Sequence, residues 1–184
     1  MEMNKDEEKH LLEKLRRAEA RRQAFEELVR AYQQPLYRHL RHMLSSHADA
    51  DDALQNTFLK AWKNLEQFRG DSSIYTWLYR IASNEALGML RQSGRRIQLQ
   101  VESEEESLPA SAPGLEADAD FILGHLQAAL QTLPPRQRQV FDLRYFEEMP
   151  YQEIARITGK SKGALKASYH HAVKKIEHFL EQLF

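Results

Sequence analysis

The 184-residue chain contains no cysteine. That absence excludes a disulfide framework, a thiolate zinc site and a cysteine nucleophile. Long apolar runs are missing as well: the uncharged apolar stretches fall far short of the ~20 residues that span a bilayer, so no membrane insertion is expected. The opening MEMNKDEEKH has no basic segment followed by an apolar one, so no secretory signal is expected. Turn formers are scarce: 7 Gly and 6 Pro sit among 42% hydrophobic and 29% charged residues. That balance suits a compact, largely helical, cytoplasmic protein. A surplus of positive charge is also lacking. The chain has 26 Lys plus Arg against 27 Asp plus Glu, a net charge of -1, whereas a nucleic-acid-binding domain is expected to be clearly basic.

The neutrality is an average over three blocks. Residues 1–96 carry 17 basic and 14 acidic side chains; residues 97–132 carry seven acids and no Lys or Arg; residues 133–184 carry nine basic and six acidic. The middle segment QVESEEESLPASAPGLEADAD has few large apolar residues and no helical or strand period before about Phe121. It cannot bury a core and reads as a solvated spacer. The expected architecture is all-α: two small helical domains, 1–96 and 121–184, joined by an acidic flexible linker, 97–120.

In the first half apolar residues recur every three or four positions, from Leu11, Leu12 and Leu15 through Phe25, Leu28, Val29 and Tyr32 to Leu40, Met43 and Leu44. This is helical amphipathicity. Pro35 fits the first turn of a helix better than an interior, which puts a helix boundary near Gln33–Gln34. Asp49 is placed to cap the next helix, with Asp51 and Asp52 in its first turn, where the dipole favours negative charge. Its stripe runs Ala53, Leu54, Thr57, Phe58, Ala61, Trp62 and Leu65. A break at Phe68–Ser73 precedes a helix from about Ile74 to Arg91, ending at Ser93-Gly94-Arg95-Arg96. Around it Tyr75, Trp77 and Tyr79 interleave with Arg69, Arg80, Arg91, Arg95 and Arg96. Aromatics for stacking beside guanidinium groups for phosphates suit single-stranded nucleic acid. Rings at this spacing are also what a helical core needs.

In the second half Leu133-Pro134-Pro135 starts a helix with proline in a favoured position. Pro150 then opens YQEIARITGKSKGALKASYHHAVKKI. Counting from Tyr151, Ala155 is fifth, Gly159 ninth and Leu165 fifteenth, the spacing of a helix-turn-helix unit. A small residue stands where the helices touch, glycine supplies the positive φ of the turn, and Ile154 and Leu165 seal the core. From Lys160 to Lys175 the second helix holds Lys160, Lys162, Lys166, Lys174, Lys175, His170 and His171 without an acid, beside the small Ser161, Gly163, Ala164 and Ala167. That is the composition of a helix that enters a major groove. The close pairs His39/His42 and His170/His171 have arginines and lysines as sequence neighbours, which repel a cation, so no metal is expected. No phosphate loop or nucleophile arrangement emerges, so neither catalysis nor a cofactor is expected.

The segment FEELVRAYQQPLYRHLRHMLSSHADADDALQNTFLKAWKNLEQFRG, continued by YTWLYRIASNEALGMLRQ, resembles region 2 of bacterial RNA polymerase sigma factors. LPPRQRQVFDLRYFEEMPYQEIARITGKSKGALKASYHHAVKKI resembles their region 4. With a short linker and no further domain, the whole is similar to the extracytoplasmic-function (ECF) group. The resemblance implies a protein that binds core RNA polymerase and directs promoter recognition and opening, is a monomer when free and is held by an anti-sigma factor. It assigns Asp49, Asp51, Asp52, Gln55, Phe58 and Trp62 to core polymerase. Arg69, Ser72, Ser73, Tyr75, Trp77, Tyr79, Arg80 and Asn84 fall to the opened -10 element. Arg144, Lys160, Ser161, Lys162, Gly163, Lys166, Ala167 and His170 fall to the duplex -35 element. The linker would then run near the RNA exit path. Two positions depart from the family pattern: Gly88, where Asp is frequent, and Lys160, where an apolar residue is common. The competing expectation is a one-component helix-turn-helix regulator with a helical sensing or dimerising domain.

Overall fold

The computed structural model describes residues 5–68, 70–101 and 118–182, and every regular element among them is helical. The N-terminal domain comprises α1 (Lys5–Arg16), α2 (Arg21–Met43), α3 (His47–Asn64), a short 3-10 turn (Leu65–Gln67) and α4 (Ile74–Val101). The C-terminal domain comprises α5 (Asp118–Thr132), α6 (Pro135–Tyr145), α7 (Tyr151–Thr158) and α8 (Lys162–Glu181). Most of the segment expected as linker, residues 102–117, lies outside the described residues.

Three expectations about helix limits are corrected. No boundary falls at Gln33–Gln34, because α2 runs through Pro35 without interruption. Pro35 removes one N–H and crowds the carbonyl of Ala31, yet Leu28, Tyr32, Leu36, Leu40 and Met43 bury a continuous stripe on both sides of it. Burial of several large side chains, at about 1.5–3 kcal/mol each, outweighs a proline penalty of about 3 kcal/mol. Pro35→Ala is therefore expected to stabilise the chain by about 1–3 kcal/mol in chemical denaturation; a loss of stability would show that the ring's packing dominates. Second, α4 continues past Ser93–Arg96 to Val101; the single Gly94 costs a helix only about 1 kcal/mol. Third, Ser46 rather than Asp49 caps α3: its Oγ accepts from the Asp49 amide at 3.2 Å. Asp49 stands in the first turn, where its charge still complements the dipole.

The inner face of α3 is built of small residues, Ala50, Ala53, Thr57 and Ala61. They let α3 lie close against both α2 and α4, and Thr57 returns its hydroxyl to the Ala53 carbonyl at 2.7 Å. In the second domain Ala129, Leu130, Leu133, Phe141, Ala172 and Ile176 bind α5, α6 and α8 together. The domains are not separate beads. α6 packs on α2 and α4, α7 on α4 and α5 on α2, and one apolar cluster extends from Leu28 and Leu78 to Val140, Leu143 and Met149.

Candidate nucleic-acid interface

The helix-turn-helix expectation holds in detail. α7 ends at Gly159, whose φ of 69° is the left-handed conformation that favours glycine. Its N–H reaches the Ala155 carbonyl at 2.9 Å. Ile154 and Leu165 are 0% and 1% exposed, so the two helices are sealed where the spacing required. Ser161 caps α8, its Oγ accepting from the Ala164 amide at 3.3 Å. Lys160, Lys162, Gly163, Lys166, Ala167 and His170 are all exposed. On α8, Lys162, Lys166 and His170 recur at four-residue spacing and form one basic ridge, with Gly163 and Ala167 beside it. Arg144 differs from the rest of this set. It is half-buried, donates to the Met149 carbonyl at 3.0 Å and lies over the Tyr151 ring at 5.3 Å. Its guanidinium holds the α6–α7 turn together.

The face of α3 opposite its small residues carries the second set. Asp49, Asp51, Asp52 and Gln55 are exposed and Phe58 is half-buried, packed edge-on against Phe25 at 6.4 Å. Trp62 leans on the same Phe25 at 5.0 Å yet stays 43% exposed. Leu59, 56% exposed, completes the stripe. Sequence reasoning missed it because the helical period assigns it to the solvent side, where a leucine carries no signal of its own.

The third set surrounds the start of α4. Ser73 accepts from the Thr76 amide at 3.1 Å, Ser72 is half-buried beside it, and Arg69 lies outside the described residues. Trp77 is half-buried against Phe68 at 5.0 Å, while Arg80 and Asn84 are exposed. The Tyr75 and Tyr79 rings lie 4.4 Å apart, tilted by 46°. Both donate to Glu147 Oε2, at 3.0 Å and 2.5 Å, and Tyr79 is fully buried. Burial, followed by the Glu147 charge, pushes the Tyr79 phenol well above its usual range, so the proton stays on the donor. Thr76, unremarked in the sequence, donates to Glu153 Oε2 at 2.8 Å. Asn84 and Arg91 line a cleft of about 470 Å³ that Arg136 of the second domain helps to close.

A further polar cluster joins the domains. His39 and Asp142 are wholly buried and hydrogen-bonded to each other; His42 Nδ1 meets the second Asp142 oxygen at 2.5 Å, and His39 Nε2 lies 2.9 Å from Ser83 Oγ. Burial would push the Asp142 carboxyl up, but the charge and hydrogen bonds of His39 and His42 together hold it below the ordinary carboxylate range. The sequence surrounds this histidine pair with arginines; the fold supplies a carboxylate from 103 residues away. Arg138, lowered to about 10 by burial, donates to the Met43 carbonyl at 2.7 Å and the Leu133 carbonyl at 3.2 Å. Among the described residues no cluster suits a metal ion, and no helix is long and apolar enough to cross a membrane.

Two family models match the chain: Sigma-70 region 2 over residues 28–96 and Sigma-70 region 4 over residues 123–176. The RNA polymerase sigma-H factor of Pseudomonas aeruginosa is 30% identical across 98% of this chain and 97% of its own length. The ECF RNA polymerase sigma-E factor of Salmonella typhimurium is 30% identical across 73% of this chain and 75% of its own. Among solved structures, the sigma factor RpoE of Bartonella quintana, in complex with the anti-sigma factor NepR, superposes with a TM-score of 0.69 at 26% identity, covering 85% of this chain and 96% of that one. CnrH, in complex with the cytosolic domain of CnrY, shares the fold with a TM-score of 0.71 at 23% identity, over 95% and 97%. With both regions present in this order along one chain, the protein belongs to the extracytoplasmic-function group of bacterial RNA polymerase sigma factors.

Proposed function

We propose that this sigma factor docks on core RNA polymerase through the outer stripe of α3, grips duplex -35 DNA with α8 and traps the opened -10 strand at the start of α4. The observation that carries the proposal is an alignment running through both domains to a sigma factor of nearly the same length. The chemistry of each surface fits its task. An acidic and aromatic stripe, from Asp51 to Trp62, offers an exposed apolar anchor inside a charged rim. The lysines of α8 neutralise phosphates, and its small residues permit close approach to base edges. At α4, aromatic stacking at about 1–3 kcal/mol per base offsets the few kcal/mol needed to unstack a flipped base. Opening a promoter in this way requires no catalytic group. The chain would work in the cytoplasm as a monomer, joined to the polymerase or restrained by an anti-sigma partner of the kind bound in the similar structures.

Reconstitution tests this directly. Core polymerase with the purified chain is expected to initiate at discrete sites on linear bacterial DNA, each preceded by a common pair of elements at constant spacing. A chain that binds palindromic duplex as a dimer and supports no initiation would be a one-component regulator instead.

A further inference from the structure

We infer that the cleft between α4 and the α5–α6 turn is a binding site for a nucleoside diphosphate. The cleft measures about 470 Å³. That is the size of a small-ligand site, which pairs an apolar lining with a few convergent polar groups. Leu87 and Leu90 of α4 face Pro134 and Pro135 of the turn and supply the apolar walls. Between them lies broad apolar surface for the flat face of a base. Arg91 from one wall and Arg136 from the other supply the charge, and no acid lines the cleft among the described residues. A guanidinium presents a planar fork of donors that matches a phosphate. Two forks on opposite walls match a diphosphate better than a single carboxylate. Asn84, exposed on the same wall as Arg91, adds an amide that donates and accepts along one base edge. It stands seven residues before Arg91, about 10 Å along the helix, so the base-reading and phosphate-holding groups are set apart as the two ends of a nucleotide are.

Both arginines are available. Arg136 is exposed and makes no ion pair or hydrogen bond among the described residues. Arg91 is exposed and uses only its Nε, on the Leu87 carbonyl of its own helix at 3.1 Å. Gly88 accounts for the missing counter-charge. It stands three residues before Arg91 and four after Asn84, on the same helical face, at a position where the sigma-factor pattern frequently has Asp. An aspartate there would hold Arg91 at the spacing of a helix ion pair; glycine removes both the charge and the bulk. No atom lies within 4 Å of the place a Gly88 Cβ would take, so the space beside it is open. The backbone does not call for glycine, because Gly88 has no positive φ and glycine is unfavourable inside a helix. Since the walls belong to different domains, a bound ligand bridges α4 and α6, which are in contact, and stabilises that arrangement by mass action.

Calorimetric titration of the full chain with ADP, GDP and CDP tests the site, with adenosine and inorganic pyrophosphate as probes that each carry half of the ligand. Neither DNA nor polymerase is present, so the outcome is independent of the proposed function. At least one diphosphate is expected to saturate a single site about tenfold more tightly than either half-ligand, and to raise the melting temperature. Arg91→Gln and Arg136→Gln, at exposed positions, should keep the parent circular dichroism and each weaken binding about tenfold. Gly88→Asp should abolish binding by giving Arg91 a partner of its own, while Gly88→Ala folds and binds as the parent does. Changing Glu102, Glu104, Glu105 and Glu106 together to Gln should leave the affinity unchanged. The inference is overturned if no diphosphate saturates, if pyrophosphate binds as tightly as the diphosphates, or if binding survives the arginine variants or Gly88→Asp. Binding that appears only after the four glutamates are neutralised makes that acidic segment the occupant and overturns it as well.

Discussion

Reversing two charges on α8, Lys162→Glu with Lys166→Glu, is expected to abolish promoter-specific transcription while the fold persists. Both side chains are exposed, one helical turn apart, on the outer ridge of a helix whose buried side is Leu165, Ala172 and Ile176. Neither takes part in the core, so circular dichroism and melting temperature should be those of the parent. Contacts of this type contribute about 1–3 kcal/mol each, and two reversals therefore weaken duplex binding by at least roughly thirty-fold. The salt dependence reports the mechanism. If both lysines meet phosphates, the slope of log affinity against log salt falls by about 2. Run-off transcription with core polymerase, together with duplex binding at several salt concentrations, measures both. Undiminished transcription would remove α8 from the interface.

The second large effect is expected on α3. Trp62→Ala and Leu59→Ala should each weaken binding to core polymerase, with the double variant at least roughly thirty-fold weaker, since a buried aromatic anchor at an interface is typically worth 2 kcal/mol or more. The two substitutions separate binding from stability. Trp62 supports Phe25 within its own domain, so its removal also costs some fold stability. Leu59 is 56% exposed and its removal should leave the melting temperature unchanged. Competition against labelled parent chain for core polymerase gives the ranking. If both variants compete as well as the parent, the polymerase does not sit on this stripe.

How far the sequence leads depends on the range of the interaction that decides each feature. The helix-turn-helix unit was legible because its determinants are local: Ala155, Gly159 and Leu165 specify a contact, a turn and a seal within fifteen positions. The stripes of α3 and α4 were legible from period alone. Continuity through Pro35 was not, because a local penalty was overruled by burial on both sides. The cap of α3 was misassigned by three residues because serine and aspartate compete for the same role. The site is divided in the same way. Exposed lysines on α8 lie where the period puts them, whereas Tyr79, which the resemblance assigned to the -10 strand, is buried, as the spacing of the rings also allowed. Nothing near Tyr79 in sequence announces Glu147, and nothing near His39 announces Asp142. Those partners come from tertiary docking, to which periodicity is blind.

The separation of those partners along the chain sets an order of events during synthesis. His39 and Asp142 are 103 residues apart, and ribosomes add about 5–20 residues per second. Some 5–20 seconds therefore pass between the two, during which α1 to α4 have emerged and can pack while the glutamates that cover α4 do not yet exist. Tyr75 and Tyr79 are made 72 and 68 residues ahead of Glu147, the acceptor of both their hydroxyls. Contacts between the two domains can form only once α6 and α7 have been released, with α8 still to follow.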